Sequence, residues 1–461
     1  MCIKKITSLI LFLSGSIGCF AQDLSLVDAI DIGIQNYGAI KSKVKYASAS
    51  EETLKQARLE YLPDINISAQ QTYGTVNGQY GSFYGMIGNA AASGPSLTEQ
   101  NWNAAFGAQY LSNVNWDFYT FGKVKQKINL EKINVGLKEQ DLEQEKFELK
   151  IKITSAYLNL LASQRMVISQ QKNLERAKVF LTTATARVKN GLQAGVDSTM
   201  ATAEVSKAKI ALNQARFQVK EFNNRLIDLM GVSSLDFTAD TLFVSQIPKQ
   251  LLIDIDGVHE THPSLKFLQT KVDFSNQQVK LSKRFYYPSM SIFGVFQSRA
   301  SGFNSNYSQD QNAFTKNYWD GVQPSRSNYL FGASISWNLS TPFRIKKQVK
   351  AQEFIAEGVQ EEYNQLEREI QSQLKLADEQ IKIAMENYSE APVQVKAAAQ
   401  AYRQKMTLYQ NGLTTLTDLT QALYLLNRAE IDRDIVNTNV WQSYLVKVAA
   451  IGDFELFIKE F

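Results

Sequence analysis

RVKNGLQAGVDS, residues 187–198, ends one long helical pattern and begins another. LYQNGLTTLTDL, residues 408–419, does the same. Each carries Asn-Gly-Leu and then an Asp six residues after the Gly: Asn190, Gly191, Leu192 and Asp197, then Asn411, Gly412, Leu413 and Asp418. Asn-Gly supplies the positive-φ position that ends a helix. A carboxylate near the start of the return helix caps free N–H groups and suits the dipole. Both stretches therefore read as corners of antiparallel helix pairs, with Asp197 and Asp418 as caps. That reading explains the Gly and the Asp without any function. It leaves the shared Leu and the shared spacing, which follow if the two corners form one contact surface.

The corners stand 221 residues apart, and the same offset sets Trp116 on Trp337 and Gly231 on Gly452. An offset of 225 sets YLPDINI at 61–67 on YYPSMSI at 286–292, with Pro63 on Pro288, and AAFGA at 104–108 on YLFGA at 329–333. The chain reads as two diverged copies, 22–245 and 246–461, because a period this long marks a duplicated domain rather than a solenoid.

Each copy opens with a helix. In the first, Ile40, Val44, Ala47, Leu54 and Tyr61 lie near heptad spacing and Leu62-Pro63 ends the run. Alternating runs follow. Ile65, Ile67 and Ala69 alternate with polar residues, as do Trp102 to Tyr110 and on in phase through Trp116 to Phe118. In copy two the same holds for Met290 to Phe296 and Tyr329 to Leu339. Period two is strand geometry, placing strands at about 63–75, 102–119, 288–298 and 328–340. Runs this long with aromatics near their ends suit an outer-membrane barrel, and equally a soluble sheet with one wet face. The Gly-, Ser-, Asn- and Tyr-rich segments 75–100 and 298–326 read as exposed loops.

Long helices follow at about 121–190 and 197–230, then at 343–410 and 418–450. One heptad stripe runs through Leu149, Ile153, Ala156, Leu160, Val167, Leu174, Ala177, Leu181, Ala184 and Val188. Copy two repeats it from Val359 to Tyr388, and Pro392 is expected to interrupt and kink that helix. A helix from 122 to 190 spans roughly 100 Å at 1.5 Å per residue.

Composition narrows the class. The 461 residues carry a net charge of +4 with 20% charged side chains, not the basic footprint of a nucleic-acid binder. The opening MCIKKITSLILFLSGSIGCFAQ has a basic start at Lys4 and Lys5 and a short apolar run, the pattern of a signal peptide over 1–21. Cleavage after Ala21 is the main reading. A lipid anchor at Cys19 is the alternative, with Ser16 where such a site prefers Leu. Cys2 and Cys19 are the only cysteines, so a chain cut there has no thiol chemistry.

Four strands cannot close a membrane barrel, since the smallest have eight and an open edge in lipid strands its backbone groups. If these strands lie in a membrane, several chains share one barrel. Two chains give eight strands and a filled interior. Three give twelve and leave room for a conduit.

With these features together, the chain resembles the TolC-type outer membrane factors over essentially its whole length. The resemblance rests on LSLVDAIDIGIQN at 24–36, A-R-x-x-Y-L-P at 57–63, AYLNLLASQ at 156–164, the two G-L-x-x-x-x-D turns, and helix–strand–strand–helix–helix twice in order. It implies a mainly α fold with transmembrane β: a long antiparallel α-helical barrel, plus four strands per chain in a homotrimeric twelve-stranded barrel set in outer-membrane lipid of a Gram-negative bacterium. It implies a passive duct reaching into the periplasm, serving efflux or type I secretion. The expected partners are a periplasmic adaptor (membrane fusion) protein and an inner-membrane pump of resistance-nodulation-division or ABC type. By the same resemblance Asn190, Gly191, Leu192, Asn411, Gly412 and Leu413 are the adaptor-docking tips, and Asp418, Tyr409 and Asp197 belong to the periplasmic aperture. The chain departs from the family at Thr414, where a basic residue sometimes stands, and at Gln421, where a further acid stands.

No catalytic group, cofactor or metal is expected. His259 and His262 have H-x-x-H spacing but no second ligand set, and neither a phosphate-cradling loop nor a nucleophile motif appears. The alternative to a duct is a secreted periplasmic coiled-coil scaffold or adhesin without a pore, which shares the heptads but gives the strands no membrane to cross.

Overall fold

The computed structural model describes residues 22–78, 82–84, 90–92, 96–233, 237–239, 243, 246–249 and 261–460. The signal peptide over 1–21, both cysteines and His259 lie outside the described residues. The elements are β1 (Gln22–Leu24), α1 (Leu26–Asn36), α2 (Gly38–Leu59), β2 (Asp64–Thr75), β3 (Ser82–Tyr84), β4 (Ala90–Ala92), β5 (Ala104–Tyr119), α3 (Lys123–Lys189), α4 (Gly195–Met230) and β6 (Phe237–Ala239). Then come α5 (Pro263–Ser282), β7 (Ser289–Ser301), α6 (Tyr318–Val322), β8 (Arg326–Ser336), α7 (Thr341–Gln410), α8 (Leu416–Ile451) and α9 (Glu455–Ile458). Among the described residues no helix is long and apolar enough to cross a membrane.

The chain divides into two compact units, one of Met1–Ser48, Leu137–Lys271 and Gln360–Phe461, the other of Ala49–Gly136 and Val272–Val359. The first unit is helical. The stripe read from the sequence is its seam: Leu149, Ile153, Leu160, Ala177 and Ala184 have no exposed surface, nor have Ala201 and Leu226 of α4. Leu149, Ile153, Leu160 and Leu226 join Ile381 and Ala384 of α7, and Val440, Trp441 and Tyr444 of α8, whereas Ala177 packs with Leu174, Ala208 and Leu212, and Ala184 with Ala201 and Phe180. Two aromatic groups in this core satisfy their polar tips, as burial requires: the Tyr157 hydroxyl donates to the Leu24 carbonyl at 2.7 Å and the Trp441 indole to that of Gln246 at 3.1 Å.

The second unit holds an antiparallel sheet of four strands in the order β2-β5-β7-β8. Partners opposite one another share a face. Ile65, Ile67 and Tyr73 of β2 stand opposite Val114, Ser112 and Phe106 of β5. Trp116, Ser112 and Ala108 meet Ile292, Phe296 and Ala300 of β7, and Phe296, Gly294 and Ile292 meet Tyr329, Phe331 and Ala333 of β8. This face is apolar. The other is mainly polar, carrying Asn66, Ser68 and Gln70, then Gln109, Asn113 and Asn115, then Gln297 and Arg299, then Asn328 and Ser334, with Leu111, Phe293, Val295 and Leu330 among them. Strands β2 and β8 each have a single strand neighbour, so the sheet has two edges.

The four strands fall within four residues of the stretches read as strands. Five expectations need correction. First, α7 runs unbroken through Pro392. Pro392 is on an exposed side of the helix, where water can take the carbonyl it leaves unpaired. Second, the buried seam of α2 is Ile40, Ser50 and Ala57, with Val44 and Tyr61 exposed. Lys43 lies next to that seam because Asp141 and Glu145 neutralise it at 2.7 and 3.2 Å. Third, the return helices begin at Gly195 and Leu416, two residues before Asp197 and Asp418. Fourth, the N-caps are accordingly Ala194 and Thr415, not the two Asp. Fifth, 298–326 is not a plain exposed loop: Tyr307 and Val322 are buried, and Phe303, Tyr307 and Phe314 pack ring on ring. The other expected loop, 75–100, lies partly outside the described residues.

Candidate functional site

Two places carry the functional expectations, the helix corners of the first unit and the two-faced sheet of the second. At the corners the chain twice builds one motif. Asn190 and Asn411 follow the last residues of their helices, and Gly191 and Gly412 take φ of 69° and 79°. The N–H of Gly191 donates to Val188 at 3.0 Å and that of Leu192 to Arg187 at 2.9 Å. The N–H of Gly412 donates to Tyr409 at 3.0 Å and that of Leu413 to Leu408 at 2.9 Å. These paired bonds satisfy carbonyls that a helix end leaves free. The six residues expected at the tips, Asn190, Gly191, Leu192, Asn411, Gly412 and Leu413, are all exposed. Leu192 and Leu413 are 63% and 73% exposed, so each corner leaves an apolar side chain in water.

The side chains around the two corners differ. Thr415 caps α8, its hydroxyl accepting from the Asp418 N–H at 3.2 Å. Ala194 gives α4 no such bond. The Asp418 carboxylate accepts from the Thr414 hydroxyl at 2.8 Å and pairs with Lys405 at 3.6 Å. The Thr414 hydroxyl first, and the Lys405 charge next, hold this carboxyl below the usual carboxylate range. Thr414 thus fixes the acid by a hydrogen bond, and Lys405 supplies the positive charge from α7.

Tyr409 is fully buried, in a cluster with Phe180, Ala184, Ala201, Leu416 and Leu419. Burial, and then the charge of Asp197, push its phenol above its ordinary value, against the opposing pull of Arg187. Arg187 ties the corners together: its Nη1 donates to the Gln410 carbonyl at 2.7 Å and its guanidinium lies 5.6 Å from the Tyr409 ring centre. The structure thus brings Tyr409, Asp197 and the second corner to one place, and adds Arg187, which the sequence reading missed. Its signal was there: Arg187 and Leu408 hold the same place before the two Asn-Gly pairs, and only one of them is charged.

Higher in the same unit, Arg176 binds Glu430 through two bonds of 3.0 and 2.6 Å, and Ser169 donates to Asp434 at 2.7 Å. His262 is a helix cap. Its Nδ1 accepts from the Ser264 N–H at 3.2 Å, which leaves the proton on Nε2 to face the Ala449 carbonyl at 3.2 Å. Burial pushes this imidazole below its ordinary value. Among the described residues no group of His, Cys, Asp and Glu is placed to hold a metal ion.

In the second unit, equivalent bonds close the lower end of each strand pair. The Trp116 indole donates to the Tyr61 carbonyl at 2.8 Å, and the Trp337 indole to the Tyr286 carbonyl at 3.2 Å.

This fold, a four-stranded antiparallel sheet in a chain of very long helices, is similar to that of solved outer-membrane channels. VceC from Vibrio cholerae is similar at 16% identity with a TM-score of 0.71, over 93% of this chain and 96% of that one. CmeC of Campylobacter jejuni is similar at 14% and 0.71, over 100% and 97%. MtrE of Neisseria gonorrhoeae is similar at 14% and 0.71, over 93% and 89%. No curated protein matches the chain. The family model for outer membrane efflux proteins matches residues 34–232 and 255–444, most of the sequence, and the chain belongs to that family.

Proposed function

We propose that three copies of this chain close one twelve-stranded barrel in the outer membrane and form a passive export duct. The observation that carries this reading is the sheet. It has an apolar face, a polar face and two edges, β2 and β8. In lipid those edges need partners, because unpaired backbone groups there cost several kcal/mol each. The polar face then lines the lumen. The scaffold reading gives the apolar face no role.

The chain is two diverged copies of one plan. The Trp116 and Trp337 bonds support this, since the offsets that align the two Trp and the two Tyr were read from the sequence alone. The left-handed Gly231 and Gly452, which end α4 and α8, support it too.

The helices form the periplasmic part of the duct, and the tips at 187–198 and 409–421 dock a periplasmic adaptor joined to an inner-membrane pump of resistance-nodulation-division or ABC type. Exposed Leu192 and Leu413 support the docking role. Asp418 and Asp197, both partly exposed, belong to the aperture, with Tyr409 behind them in the packing. Export of small molecules or of polypeptide needs no catalytic group here.

Pairs of cysteines, one on β2 and one on β8 of the same chain, scanned along the two strands test the shared barrel. Paired across neighbouring chains, they are expected to give oxidised ladders that stop at three. Ladders that stop at two, or no cross-link at any position, would overturn it.

A further inference from the structure

The segment after β7 folds back onto the apolar face of the sheet. Val322 at the end of α6 is buried against Ala108 and Ala300, with Phe106 and Tyr110 beside them. Gly321 lies so close to Phe106 that a Cβ there would stand 2.5 Å from the Phe106 Cβ. The Tyr318 ring meets Phe106 edge-on at 5.2 Å, and its hydroxyl donates to Gln71 at 2.9 Å. By the strand register, Gln71, Phe106, Ala108, Tyr110 and Ala300 all stand on the apolar face.

Two polar groups of this short helix are met within the protein, while the Asp320 carboxylate is exposed. The Asn317 side chain accepts from the Trp319 N–H at 3.0 Å, and the Val322 carbonyl accepts from the Tyr110 hydroxyl at 3.1 Å. A backbone satisfied in this way can border hydrocarbon. Yet Trp319 is 72% exposed.

The height on the sheet fits a membrane boundary. Tyr73, Phe106, Tyr318 and Trp319 lie at one end, and Trp116, Phe118, Tyr119 and Trp337 at the other. From Phe106 to Trp116 the strand advances roughly 33 Å at about 3.3 Å per residue. Tilted by about 40°, that spans about 25 Å, the height of the apolar band between two aromatic girdles.

We infer that α6 is an interfacial anchor: it lies on the lipid side of the barrel at the outer leaflet, with Trp319 and Tyr318 at the boundary of headgroup and acyl chain. Trp and Tyr suit that boundary, with one apolar body and one polar tip. The inference rests on the barrel reading, which assigns the apolar face to lipid.

The test uses the reconstituted full chain with Cys2 and Cys19 replaced by Ser, and one environment-sensitive fluorophore on either Trp319→Cys or Phe331→Cys. Vesicles contain lipid brominated near the headgroup end or near the middle of the acyl chain. Loss of emission at 319 to the shallow bromines, and at 331 to the deep ones, is expected. Quenching at 331 with none at 319 would overturn the anchor alone, whether water or a neighbouring chain covers the helix. No quenching at either position would overturn the barrel reading together with the anchor.

Discussion

The two helix corners share a backbone and differ in almost every side chain around it. Both use a left-handed Gly and the same pair of closing hydrogen bonds. Only the second has a side-chain cap, from Thr415. Only the first supplies a guanidinium, which reaches across to the second at Gln410. The backbone motif makes a corner, and the side chains decide what the corner is joined to. The second corner is thus held from within by Thr415 and from outside by Arg187, whereas the first has no cap.

The largest difference should come from filling the glycines. Gly191→Val and Gly412→Val each force a β-branched residue to positive φ, at roughly 2 kcal/mol. A Cβ at 191 meets open space, but at 412 it stands 3.0 Å from Arg187 Nη2. Gly412→Val should therefore also displace the arginine and open both corners. Amide exchange of 187–198 and 408–419 in each variant measures this, and equal exchange in the two would break the comparison. Adaptor capture should fall in both variants while the oligomer stays intact.

Next is Arg187→Ala, which removes the bond to Gln410 and the contact with Tyr409. A charge-assisted bond at a half-exposed site is worth about 1 kcal/mol. Exchange should rise at 408–413 more than at 187–192, and Leu408→Ala, at the matching position, should barely change either.

The cap difference can be reversed. Thr415→Ala should cost about 1 kcal/mol at the start of α8, while Ala194→Thr should stabilise the start of α4 by a similar or smaller amount. Exchange over the first turn of each helix reads both. No gain from Ala194→Thr would mean that the first corner is limited by something other than its cap.

The smallest effect is that of pH. Asp418 titrates below its ordinary range because Thr414 and Lys405 favour its charged form. The folded corner thus binds a proton less readily than the unfolded chain. Its stabilisation is present above the ordinary carboxylate pKa and is lost as pH falls through the lowered value. Protection of the α8 first turn should decline over that acid window, and Asp418→Asn should abolish the dependence.

Much of this was legible in the sequence, because periodicity reports backbone geometry. The heptads of α3 gave its buried seam, the alternation of β5 its two faces, and Asn-Gly the positive φ of each corner. The caps were not legible from residue type alone. Asp197 and Asp418 look like N-caps, yet Ala194 and Thr415 occupy that position, since one turn of register decides the role. Nor was the burial of Tyr409 or the reach of Arg187, because both depend on contacts between residues more than two hundred positions apart. Lys43, beside the α2 seam, broke the apolar pattern because its partners Asp141 and Glu145 come from another helix.

The mass of the detergent-extracted particle, measured by native mass spectrometry, tests the shared barrel most directly. Three chains per particle are predicted, since three sheets of four strands close without an edge. A single chain that also leaves the membrane in alkaline carbonate would contradict the duct, and the two Asn-Gly-Leu turns would then be ordinary helix corners.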